Sequence, residues 1–123
     1  MNRRVATVLV NDPDAHWRLA LTAIVEALGH RVVNNLDDGP VDVIVVEPLS
    51  RDAVAVARKA RESRKTPIVC VTSGRRVISG WLLEPVAYLE KPIVVGPFVR
   101  ALERALKKRG RAEARSPGPP VDA

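Results

Sequence analysis

Three stretches constrain this chain more than anything else in it: "VATVLV" at residues 5–10, "VDVIVV" at 41–46 and "TPIVCVTS" at 66–73. Each is rich in β-branched side chains, which favour strands, and none alternates cleanly between apolar and polar. A strand with one wet face alternates. A nearly continuous apolar run fits a strand covered on both faces, as in a parallel sheet between helices.

Segments of helical period lie between these runs. Residues 15–28 place Trp17, Leu21, Ile24, Val25 and Leu28 at helical spacing, after the loop and capping residues Asn11, Asp12 and Asp14, and Gly29 supplies a stop. "HRVVNN" reads as a short second strand and "LDDGP" as turn chemistry. Residues 51–63, capped by Ser50 or Asp52, carry Ala53, Val54, Ala57 and Ala60 on one side. A weak helix around Val77–Leu83 precedes a fifth strand at "VAYLE". Gly96 and Pro97 then open a last helix with Val99, Leu102 and Leu106 on one face, and Gly110 ends it.

Alternation of this kind predicts an α/β fold, a doubly wound three-layer sandwich around a mostly parallel five-stranded sheet. A chain of 123 residues is long enough for one core. Apolar residues are 46% of it but aromatics only 3%, so that core is built from Val, Leu, Ile and Ala. The expected layout is one domain over residues 1–110 and a disordered, basic and proline-rich tail over 111–123. The apolar run behind Met1–Arg4 is too short for a signal peptide, and no run reaches membrane-spanning length, so a cytoplasmic protein is expected.

Several chemistries drop out. Cys70 is the only cysteine, which excludes intramolecular disulfides and thiolate clusters and makes it a small buried hydrophobe. His16 and His30 have no second histidine at ligand spacing. No Gly-rich phosphate cradle is present, and a triad drawn from Ser73, His16 and Asp12 lacks the nucleophile-elbow sequence.

In doubly wound sheets, functional groups collect at the carboxyl ends of the strands. Those ends carry Asn11 and Asp12 after strand one, Glu47 after strand three, Thr72 and Ser73 after strand four, and Glu90 and Lys91 after strand five. Together with "ALGHRVV", "TPIVCVTS" and "YLEKPI", this constellation resembles the receiver domain of two-component response regulators over residues 5–109. The resemblance implies a CheY-like sheet of strand order 2-1-3-4-5 and a signalling role without enzymatic activity of its own. Carried over by position, Glu47 replaces the aspartate that accepts a phosphoryl group. Asn11 and Asp12 take the metal-binding acidic pair, with Asp14 a further candidate because the link to the first helix is a residue longer than usual. Thr72 is the switch hydroxyl, Tyr88 the responding aromatic, Lys91 the phosphate-contacting lysine, and Lys91-Pro92 a cis bond.

The departures point away from phosphotransfer. Glu47 moves its carboxylate roughly 1.5 Å further out than aspartate would, and a misplacement of that size can cost about a hundredfold in an in-line transfer. Asn11 removes a charge from a site that needs anionic oxygens for Mg²⁺. Glu47 is left with two roles: a structural ion pair with Lys91, or a built-in signal that reaches Lys91 and Thr72 as a phosphoryl group would.

Segments are missing too. Eleven residues separate Asn35 from Glu47, fewer than a crossover with a helix needs, so the family's second helix is expected to be absent. The seven steps from Asn35 to Asp42 span at most about 23 Å against a diagonal of roughly 20 Å, so the link must run straight across the sheet and leave part of one face uncovered. The fourth helix is shortened. Around it Val77, Ile78, Trp81, Leu82, Leu83 and Val86 are more apolar residues than one short helix buries. They either refill lost volume or form a partner interface at Trp81, Leu82 and Leu83.

The expected function is therefore that of a stand-alone atypical receiver (a pseudo-receiver) acting by phosphorylation-independent contact with a signalling protein or a second copy of itself, with no cofactor. One alternative is a genuine Mg²⁺-dependent phosphoacceptor. Another is a nucleic-acid module using the tail, where residues 107–123 hold five basic side chains against two acids; no aromatic platform accompanies them, which disfavours nucleic acid. No membrane partner is expected.

Overall fold

The structure, a computed structural model, describes residues 5–73 and 78–115. Five strands, β1 (Thr7–Asn11), β2 (Arg31–Val33), β3 (Val43–Val46), β4 (Ile68–Thr72) and β5 (Ala87–Glu90), form one all-parallel sheet in the order β2-β1-β3-β4-β5. The helices are α1 (Ala15–Ala27), α2 (Arg51–Arg64), α3 (Ile78–Trp81) and α4 (Val95–Arg115). This is the doubly wound sandwich that the unalternating strands require.

Each face of the sheet has its own core. Val8, Val10, Val43, Val45, Val69 and Val71 point to one side, where Leu21 and Val25 of α1 and Phe98, Ala101, Leu102 and Ala105 of α4 cover them. Leu9, Ile44, Val46, Ile68 and Cys70 point to the other, under Ala53, Val54, Ala57 and Ala60 of α2 and Leu83 just after α3. Strand residues two apart share a face, so β-branched residues at every position of β3 are buried twice over.

Local signals account for the helix ends. Asp14 caps α1 by accepting from the His16 amide at 2.9 Å, and the chain turns out at Gly29 with φ +90°. Ser50 caps α2 through its hydroxyl and the Ala53 amide. Gly110 does not end α4, which continues to Arg115. A mid-helix glycine costs only about 1 kcal/mol against alanine, and the flanking Arg and Lys are good helix formers. Residues 116–123 of the expected tail lie outside the described residues, as does Val77.

No α-helix joins β2 to β3. A single 3₁₀ turn, Leu36–Asp38, takes its place, capped by the Asn35 side chain on the Asp37 amide. The link is pinned to the start of β1, where Asp42 donates its amide to Thr7 O and accepts the Thr7 amide on Oδ2, both at 2.8 Å. The expected uncovered face does not appear. Leu36 and the buried Val41 pack down on the sheet, and Leu9 and Ile44 beneath are fully buried. Where that helix would lie there is a groove of about 410 Å³ between residues 36–41 and the last turns of α2 at Lys59, Ala60 and Arg64.

Cys70 sits at the centre of β4, fully buried. Burial, reinforced by the Glu47 carboxylate, pushes its thiol up to about 12 from 9.0. The folded thiol therefore keeps its proton between those values, and its contribution to stability, complete below pH 9, is lost as pH rises towards 12. At pH 8 the folded chain carries on the order of a thousandfold less thiolate than the unfolded one. A thiol-reactive disulfide is expected to label Cys70 only at the rate of unfolding, with labelling accelerated by urea.

Candidate functional site: a closed cluster at the carboxyl edge

Parallel register brings the strand ends level. Asn11 pairs with Val46, Val46 with Cys70, and Thr72 with Glu90, and the ladder continues one residue further through Glu47 N to Asn11 O at 3.1 Å and Lys91 N to Thr72 O at 2.7 Å. Glu47 and Lys91 are thus positioned by sheet backbone, not by flexible loop, and their side chains meet above the edge.

The meeting point is a buried ionic cluster. Lys91 Nζ donates to Asp12 Oδ2 at 2.7 Å and to Glu47 Oε1 at 3.1 Å, and the exposures of the Lys91, Asp12 and Glu47 side chains are only 5%, 3% and 4%. Glu47 Oε1 also accepts the Ser73 amide at 3.0 Å, and Oε2 accepts the Leu49 amide at 3.1 Å. Asp12 Oδ1 accepts the Asp14 amide at 2.9 Å. Every carboxylate oxygen in the cluster is engaged. Charged groups taken out of water need this degree of pairing, because an unmatched buried charge costs several kcal/mol.

Trp17 closes the cluster from α1. Its ring lies 5.3 Å from Lys91 Nζ, close enough for a cation–π contact, and His16 meets it edge-on. Next to it Arg18 donates to the Asp12 carbonyl at 2.8 Å, fixing the loop that presents the carboxylate.

Of the residues singled out in the sequence, the structure brings together Asp12, Glu47 and Lys91, with Asn11 contributing a backbone carbonyl. Thr72 is fully buried at the end of β4. Asp14 does not face the cluster: its exposed side chain is committed to capping α1, the role its place two residues before His16 dictates. The Lys91–Pro92 peptide bond is cis. Trp17 and the amides of Leu49 and Ser73 were not legible as site residues. Trp17 read as a core position of an amphipathic helix, and backbone donors leave no mark on side-chain identity.

The apolar excess after β4 divides. Trp81 stacks on Tyr88, with ring centroids 5.2 Å apart and planes 20° apart, and remains half exposed, while Leu82 is 68% exposed. Leu83 does not belong to a surface. It is 2% exposed and fills the core under α2, because the chain turns sharply after Trp81 and rotates it inward. Glu84 at φ +51° completes that turn, and Arg61 of α2 clamps it through the Leu83 and Glu84 carbonyls and the Glu84 carboxylate. Gly80 lets α3 press close, since a Cβ there would stand 2.9 Å from the Tyr88 ring and 3.0 Å from Pro48. Among the described residues no helix is long and apolar enough to cross a membrane.

No family model and no curated protein matches the sequence. Solved structures do match. NtrX from Brucella abortus superposes with a TM-score of 0.80 at 17% identity, over 92% of this chain and 29% of that one. The signal receiver domain of a modulated diguanylate cyclase from Desulfovibrio desulfuricans G20 gives 0.76 at 22%, over 88% and 98%. A CheY-like receiver domain protein from Methanospirillum hungatei JF-1 gives 0.76 at 15%, over 88% and 98%. The chain spans under a third of NtrX and nearly the whole of the other two. The all-parallel 2-1-3-4-5 sheet, the flanking helices and these neighbours together show that the chain has the fold of the CheY-like response-regulator receiver domain.

Proposed function

We propose that this chain is a receiver-like signalling domain that acts by contact with another protein and does not accept a phosphoryl group. The observation that carries the reading is the state of Glu47. Its carboxylate is buried and holds the Lys91 ammonium and the Leu49 and Ser73 amides, so both oxygens are occupied. An acceptor for in-line transfer needs one oxygen open to the donor. Glu47 instead makes, from its own side chain, the lysine contact expected of a phosphoryl group, and so holds the β3, β4 and β5 ends in one arrangement.

The output surface in this reading is the exposed pair Trp81 and Leu82 beside Tyr88. Aromatic anchors dominate the energetics of protein contacts, and Tyr88 lies on β5 three residues before Lys91, so β5 connects the cluster to the patch. Beryllofluoride with Mg²⁺ tests the proposal. The melting temperature and Trp fluorescence of the full chain are expected not to change; a saturable response that disappears in Glu47→Gln would overturn it.

A further inference from the structure

Receiver domains hold a divalent cation beside the acceptor, and the residues present here do not fit one. Mg²⁺ requires near-octahedral oxygen ligands at about 2.0–2.1 Å, one or two of them carboxylate oxygens with waters completing the shell. Among the described residues no group of three or more His, Cys, Asp or Glu side chains is placed to hold a metal. Asn11 brings no charge, and Asp14 is turned away to cap α1. The two acids that remain, Asp12 and Glu47, have all four carboxylate oxygens engaged, one of each by the same ammonium.

That ammonium is the telling feature. An ammonium has three donors. Lys91 Nζ spends two on carboxylates that follow different strands, 2.7 Å and 3.1 Å away, and faces the Trp17 ring at 5.3 Å, with its side chain 5% exposed. A positive centre bridging two carboxylates at the mouth of a sheet is the electrostatic role of a bound cation. We propose that the Lys91 ammonium, held between Asp12 and Glu47 under Trp17, permanently takes the place of the divalent cation, so that the pocket is neutralised from within and the domain is indifferent to Mg²⁺.

The inference rests on the reading of Glu47 as a fixed carboxylate and adds what fixes it. It also implies a latent site. Removing the charge while keeping the stem leaves two buried carboxylates in need of a cation, and a hard ion of higher charge fits them better than water does.

Terbium is the probe, because a nearby indole sensitises its emission and Trp17 lies over the site. With the full chain, wild type is expected to show no saturable Tb³⁺ emission on tryptophan excitation and no change of melting temperature with Mg²⁺. Lys91→Met retains the apolar packing under Trp17 and is expected to show saturable emission, competed by Mg²⁺ or Ca²⁺ and lost when Asp12→Asn is added. Saturable emission from wild type that Asp12→Asn abolishes overturns the proposal, as does a folded Lys91→Met without emission. Should Lys91→Met not fold alone, recovery of its far-UV circular dichroism on adding Ca²⁺ supports the proposal and failure to recover overturns it. Metal binding by wild type without phosphoryl uptake sinks this inference alone and leaves the functional reading standing.

Discussion

Lys91→Ala is expected to lower the unfolding free energy by about 3–5 kcal/mol, the range for removing one partner of a buried ion pair. Two features place it there and not among surface pairs, which contribute about 0–1 kcal/mol. Lys91, Asp12 and Glu47 are each at least nineteen-twentieths buried, and the lysine alone serves both acids. Without it, two carboxylates face each other through a dry gap with only backbone amides as donors. Urea denaturation at neutral pH with an unchanged m-value measures the loss. Glu47→Gln alone costs less, because Lys91 keeps Asp12 and the amide oxygen still accepts from Ser73 or Leu49. Combining the two changes is expected to destabilise by less than their sum, since the second removes one of the charges the first left unpaired. A loss under about 1 kcal/mol for Lys91→Ala would mean that the cluster is solvated and holds nothing in place.

Phe98→Ala is expected to cost a similar amount, about 3–5 kcal/mol. Phe98 is the largest fully buried side chain among the described residues and belongs to the core between the sheet, α1 and α4. Val99→Ala, at a partly buried position next round the helix, is expected to cost much less. Denaturation of the two variants side by side checks the orientation of α4, and equal losses would contradict it.

That comparison also marks where sequence reasoning slipped. The sequence puts Val99, Leu102 and Leu106 on one face of the last helix; Leu102 is core and Leu106 packs against it, but the buried stripe is Phe98, Ala101, Leu102 and Ala105, with Val99 outside it. The full stripe is legible, since 98, 101, 102 and 105 follow i, i+3, i+4, i+7, but two alanines in it carry little hydropathy, and Val99 beside them draws the assignment outward. On α2 the expected face of Ala53, Val54, Ala57 and Ala60 is the buried one, because charged side chains take most of the remaining positions.

The site was legible to the extent that the sheet alone builds it. Parallel register makes strand ends coincide, so Glu47, Asp12 and Lys91 could be brought together from spacing. What depended on the third dimension was missed. The cation–π contact of Trp17 joins the first turn of α1 to a residue 74 positions away, and the fate of Leu83 depends on a left-handed residue at Glu84 that no glycine announces. The missing helix was counted correctly from link length, yet the expected bare face was wrong, because a 3₁₀ turn and Val41 provide enough apolar surface to close it.

The central claim is that Glu47 is a fixed charge and not an acceptor, and the mass of the intact protein addresses it without reference to any partner. After incubation with a small-molecule phosphodonor and Mg²⁺, the wild-type chain is expected to retain its unmodified mass. A phosphoryl adduct approaching one per chain, absent from Glu47→Gln, would contradict the account.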